Sequence, residues 1–232
     1  MKLMSQMSSS ALLVAISLGV VFAGSALGIA HPENFARYFG PLPAPLVLVV
    51  VGALAFVGLR IVEPRTGFAV WRGERAQSLC YAALTTLPFA VVVILADCFV
   101  SRFPRDLNVP WPQSLLFYPV IGFVVEVLFH ALPIALAVGA SRLVTAPKNM
   151  SLLWGGIVVA ALAEPLLQVS IELSRAPFSA RAAFVGVQVL AFNLLELHLF
   201  RRFGFIPMYA ARLAYYLAWH VAWGELRLKL LF

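Results

Sequence analysis

The sequence predicts an all-α fold, a polytopic transmembrane helical bundle of about seven helices, and three observations carry that expectation. Of the 232 residues, 62% are hydrophobic and only 12% charged, with a mean hydropathy of +0.93, far from the usage of water-soluble domains. Seven apolar runs, at about 11–30, 43–62, 78–100, 115–141, 151–174, 182–200 and 205–223, each approach the roughly 20 residues that a helix needs to cross a hydrocarbon core about 30 Å thick. Between them, PLPAP (41–45), EPRTG (63–67), FPRDLNVPWP (103–112), TAPKN (145–149) and RAPFS (175–179) supply the Pro and Gly clusters that stop helices.

Taken in order, the first run follows Lys2 and carries small residues between Ala23 and Ala30. Its length favours an uncleaved anchor over a cleaved signal peptide. With the second run it makes an N-terminal transmembrane hairpin and basic loop, residues 1–77, leaving 78–232 as a membrane-embedded core bundle. The third run holds both cysteines, Cys80 and Cys98. At 1.5 Å rise per residue they lie about 27 Å apart, too far for a disulfide. Runs one to three are almost purely apolar, with Asp97 near an end, whereas runs four to seven carry ionisable residues in their interiors. No repeat or low-complexity segment is present.

The net charge of +7 does not point to nucleic acid, because the basic residues sit in short loops where they set topology and meet anionic lipid. Alternate loops place Lys2, Arg60, Arg65, Arg72, Arg75, Arg142, Lys148, Arg201 and Arg202 on one side, and Arg37, Arg102, Arg105, Arg175, Arg181, Arg227 and Lys229 on the other. The bias puts the N-terminus in the cytoplasm. The expected location is an integral one, in the plasma (inner) membrane of a bacterium, with the lipid bilayer as the constant partner.

A charged group at the bilayer centre costs about 2.5–3.5 kcal/mol on insertion scales, so a cluster of them marks a functional site by default. Glu126 and His130 are four residues apart, and Glu164, Gln168 and Glu172, like Arg212, Tyr216 and His220, follow the same spacing, so three helices each present a polar stripe. Glu126, Glu164 and Arg212 fall at about 15–17 Å from the same membrane face at 1.5 Å per residue. They form one layer. The reading without catalysis is that the two carboxylates flank Arg212 and neutralise it. Trp219 and Trp223 around His220 read as an interfacial belt, His31 and His198 are expected to be non-catalytic, and Glu196, three positions after Asn193, is expected to pair with Arg201 or Arg202 near the surface. No cofactor and no tightly held metal are expected, since His130 and His220 differ in depth and no third strong ligand accompanies either.

VEVLFHA (125–131) resembles the first motif, E-E-x-x-F-R-G, of the CAAX protease and bacteriocin-processing family, the type II CAAX prenyl endopeptidase-like intramembrane proteases. Glu126 and Phe129 match, while Val125 stands for the first Glu and His130 for the Arg. The family's F-x-x-x-H motif would fall on Ala160 and Glu164, and its H-x-x-x-N motif, after an RRFG turn, on Arg212 and Tyr216. The resemblance covers about residues 115–224 and implies a four-helix polar core and an endopeptidase acting on a prenylated or membrane-associated peptide. On that expectation Glu126, desolvated, is the general base on a water, Glu164 holds the water, Arg212 with Tyr216 stabilises the oxyanion, and His130 is a second base or orients Glu126. Two alternatives stay open: an inactive member of the fold serving as a membrane binding or assembly partner, and a small proton-coupled transporter.

Overall fold

The structure is a computed structural model that describes residues 8–63, 66–72, 75–143, 150–175 and 180–232. Lys2, Arg65, Lys148 and most of the TAPKN and RAPFS loops lie outside the described residues. The described residues are predominantly helical with no strand among them, and six helices are long and apolar enough to cross a membrane. The protein is an integral membrane protein of the all-α class.

Helix α1 (Ser9–Ala30) is capped by Ser8, whose Oγ accepts from Ala11 N at 3.1 Å. A short α2 (Pro32–Phe39) follows, which the sequence pattern did not separate from the loop. Pro32 at its first turn and Glu33 beside it favour a helix start, and Phe35 anchors it against Phe117 at 5.2 Å between ring centroids. α3 (Ala44–Val62) returns along α1. The two approach closely because Gly24 and Gly28 face them: a Cβ at Gly24 would meet Leu48 at 2.3 Å, and one at Gly28 would meet Ala44 at 2.7 Å. Small residues at this spacing are the usual contact between membrane helices.

α4 (Arg75–Phe99) leads to a loop and then to one long helical run made of α5 (Ser114–Val125), a π-helical segment (Glu126–Ala131) and α6 (Leu132–Leu143). Pro133 lies just past the π segment and cannot donate to the helical ladder. The wide turn before it absorbs that mismatch. α7 (Met150–Arg175) and α8 (Ala180–Phe203) form the next pair. The last run is α9 (Phe205–Tyr216), a second π segment (Leu217–Trp223) and α10 (Gly224–Leu230), so it continues about two turns beyond the end read from apolarity alone. The reason is that Arg227 is not a loop residue. It is buried, donating to Asp97 from Nε (2.7 Å) and Nη2 (3.0 Å), while its Nη groups also bond the Phe103 and Pro104 carbonyls.

The N-terminal hairpin and the later helices share one apolar interior, in which Leu13, Leu48 and Ala55 join Phe117, Ile134, Phe200 and Met208. The segment 66–72 packs under the turn between α8 and α9. Phe205 N and Ile206 N donate to the Ala69 and Val70 carbonyls (2.9 and 3.1 Å), and Arg72 N donates to Phe203 O (2.7 Å). The strap thereby satisfies the amides that a helix start leaves free. Gly204 makes this fit, with φ at 104° and no room for a Cβ, which would stand 2.7 Å from Val70 O.

Candidate functional site

Four helical runs meet around Arg212, and each contributes an acid or the base itself. The π segment supplies Glu126 and His130, α7 supplies Glu164, α8 supplies Glu196, and α9 carries Arg212 and Tyr216. All are buried: Glu126, His130 and Glu196 are 0% exposed, Arg212 2% and Glu164 4%. A guanidinium offers five N–H donors in a fixed plane, and here each has an acceptor. Nε donates to Glu126 Oε1. Nη1 donates to Glu164 Oε1 (3.1 Å) and Tyr216 Oη (3.3 Å), and Nη2 donates to Glu164 Oε2 (3.0 Å) and Glu196 Oε2 (2.5 Å). The Phe192 and Tyr216 rings lie 5.5 and 5.7 Å from its Cζ, adding cation–π contact.

An outer ring holds the carboxylates. Gln168 Nε2 donates to Glu164 Oε1 at 3.0 Å. Asn193, its amide nitrogen turned toward acceptors, donates to Glu164 Oε2 (3.1 Å) and Val189 O (3.3 Å). Glu164 therefore accepts at both oxygens from both shells. The opposite flank is less satisfied. His130 Nδ1 lies 2.9 Å from Glu126 Oε2 and Nε2 lies 3.9 Å from Glu196 Oε2, yet none of the four atoms Glu126 Oε2, Glu196 Oε1, His130 Nδ1 and His130 Nε2 makes an angled hydrogen bond. A buried polar atom without a partner costs about 1–3 kcal/mol, so this corner is the expensive part of the cluster. Three carboxyl groups here share one guanidinium.

The structure brings together every residue singled out for the site: Glu126, His130, Glu164, Arg212 and Tyr216, with Gln168 and Asn193 behind them. The layer inferred from depth is thus a contact. One consequence differs from the expected mechanism. With all five N–H groups engaged, Arg212 has no donor free for an oxyanion.

Three further expectations are corrected. Glu196 does not pair with Arg201 or Arg202; it is fully buried on Arg212. The Trp219 and Trp223 pair is not an interfacial belt, since Trp219 is buried edge-on to Phe103 and Trp223 Nε1 donates to Asp97 Oδ2 (2.8 Å). His220 stacks on Tyr118 at 4.5 Å and touches Tyr216 edge-on at 4.9 Å. Finally, a third ligand-type group does accompany His130: Glu126, His130 and Glu196 each place one ligand atom within 4.8 Å of the others. The argument against a metal from missing ligands therefore fails. His198 is exposed, and His31 sits 3.2 Å from Glu33 in the loop region.

Two clefts among the described residues lie elsewhere. The larger, about 670 Å³, is lined by Glu33, Arg37, Arg105, Asp106 and their neighbours, and the smaller by Phe103, Arg181 and Phe184. Neither touches Arg212. Compared with protein-family models, with curated proteins and with solved structures, the chain matches none of them.

Proposed function

We propose that the protein is a membrane-embedded binding or assembly scaffold, a non-catalytic variant of the CAAX-protease-like layout, set in the inner membrane of a bacterium. One observation carries the reading: the Arg212 guanidinium is closed on Glu126, Glu164, Glu196 and Tyr216 with every N–H used. A water-activating site needs its general base within reach of a water and its cation within reach of the developing oxyanion. Here Glu126 Oε1 and Arg212 answer each other. Buried charges held this way stabilise one arrangement of four helices, because removing either partner strands the other in a low-dielectric interior.

A second reading keeps the peptidase and moves its base. Glu126 Oε2 stands 2.9 Å from His130 Nδ1, and a small rotation of the ring would bring the two into the carboxylate–imidazole hydrogen bond that orients a basic Nε2. The two readings separate in one experiment. The purified chain is reconstituted in liposomes with a prenylated or acyl-anchored fluorogenic peptide, alongside Glu126→Gln and His130→Ala. The scaffold reading expects no cleavage above the variants, and a complex larger than the 25.3 kDa chain on native electrophoresis of its own membranes. Cleavage that depends on His130 would transfer the conclusion to the peptidase.

A further inference from the structure

We infer that Glu126, His130 and Glu196 form a binding site for a divalent first-row transition cation, of which Zn²⁺ is the natural probe. The inference rests on the scaffold reading only in treating the cluster as a site that binds and does not cleave.

Three observations point the same way. The first is the donor set: two carboxylates and one imidazole, fully buried, with one ligand atom of each inside a 4.8 Å circle. Ligands at about 2.0–2.2 Å from zinc stand roughly 3–3.5 Å from one another in a tetrahedral shell, so the existing spacing closes with small side-chain shifts. The second is the unmet valence. Both ring nitrogens of His130, Glu126 Oε2 and Glu196 Oε1 are buried without hydrogen-bond partners. His130 Nδ1 and Glu126 Oε2 are 2.9 Å apart, close enough for a hydrogen bond, but the angle is wrong for one. Two ligands of a common ion make that kind of contact, because each aims its lone pair at the ion and not at its neighbour. A proton on His130 would not resolve it, since Nε2 is 3.9 Å from Glu196 Oε2. The third is charge. Three carboxyl groups share the single Arg212 guanidinium, an acidic excess that a divalent cation would offset inside the bundle.

The chemistry of the donors narrows the class. No thiolate belongs to the set, so a soft Cu(I)-type site is not implied, and an imidazole argues for Zn²⁺ or Fe²⁺ over Mg²⁺, Ca²⁺ or Mn²⁺. Arg212 holds Glu126 and Glu196 by their other oxygens, which fixes the ligand orientation from behind. The fourth position would fall to a water, since Glu196 Oε2 is held by Arg212.

The test uses the full chain in detergent, purified with a histidine-free tag, stripped with chelator and reloaded with zinc or cobalt chloride alone. Zinc should survive gel filtration at one ion per chain and raise the melting temperature. In His130→Ala and in Glu196→Gln the affinity should fall at least about ten-fold. His130 is fully buried with Nδ1 2.9 Å from Glu126 Oε2, so each variant is scored by the zinc-induced rise over its own metal-free melting temperature, which should vanish in both. Should either variant fail to fold, X-ray absorption of the zinc-loaded parent decides: one imidazole among oxygen ligands supports the site. Two or more imidazoles would assign the zinc to surface histidines and overturn it, as would zinc retention equal to the parent in folded His130→Ala. Cleavage of peptide by the metal-free chain would end the scaffold reading and leave this one standing, and a chain that retains no zinc and cleaves nothing would do the reverse.

Discussion

Arg212 is an arginine and not a lysine for a reason visible in its bonds. A planar fork can answer Glu126 from Nε while meeting Glu164 through both Nη atoms and Glu196 through one, whereas an ammonium is a point charge that cannot span three carboxylates. Removing one partner of a buried ion pair costs about 3–5 kcal/mol, and here one removal strands three acids. Arg212→Ala should therefore lower thermal stability in detergent sharply, Arg212→Lys should recover only part of it, and adding Glu164→Gln to Arg212→Ala should relieve some of the loss. An Arg212→Ala protein as stable as its parent would mean that the cluster does not hold the bundle. Most of this site was legible before any coordinates, because mid-membrane charge is scarce and i, i+4 spacing puts it on one face. Glu196 was not, although a signal existed. It lies eight residues before Gly204 and Arg212 lies eight after it, and residues equidistant from a tight helical turn share a depth. Arg201 and Arg202 were the nearer basic residues along the chain, and proximity in sequence misled where the hairpin decided.

Two elements bend the ladder where the chemistry sits. The first π segment carries Glu126 and His130, and the second follows Tyr216 and carries His220. A π turn frees a carbonyl that a regular helix would satisfy, and Asn108 Nδ2 donates to His220 O at 3.1 Å to meet that need. Periodicity in the sequence cannot show such a wide turn, since it shifts the register by a single residue. The RRFG turn is the other exposed dependency. Gly204 combines φ of 104° with backbone atoms of Val70 and Trp71 at 2.7–2.8 Å from any Cβ. Positive φ alone costs a side-chain-bearing residue about 1–3 kcal/mol, and the strap 66–72 cannot move aside without losing its bonds to Phe203, Phe205 and Ile206. Gly204→Ala should accordingly destabilise by more than that range, and limited proteolysis should find the 66–72 strap newly cleavable. A variant with parental melting and an uncut strap would show that the turn relaxes freely.

At the scale of the whole molecule, the long helical runs are α1, α3, α4, α5 with α6, α7, α8, and α9 with α10. Six qualify as spans by length and apolarity. The last carries Arg212 and Arg227 and is tolerable in the bilayer because Glu126, Glu164, Glu196 and Asp97 neutralise them. Counted as a seventh crossing, as the sequence predicts, this last run would place the two ends on opposite sides. The charge bias predicts which side. Arg227, counted from sequence among the external loop cations, is buried on Asp97, so the sequence count of nine against seven becomes nine against six. In a background with Cys80 and Cys98 replaced, a cysteine at Lys229 should react with a membrane-impermeant maleimide added outside intact cells. One at Arg72, on the strap between α3 and α4, should react only after permeabilisation. Labelling of both from outside would require a lost or added crossing and would break the pairing of α9 with α8. Labelling in the opposite sense would keep the fold and reverse the orientation, showing that loop charge does not set the topology of this chain.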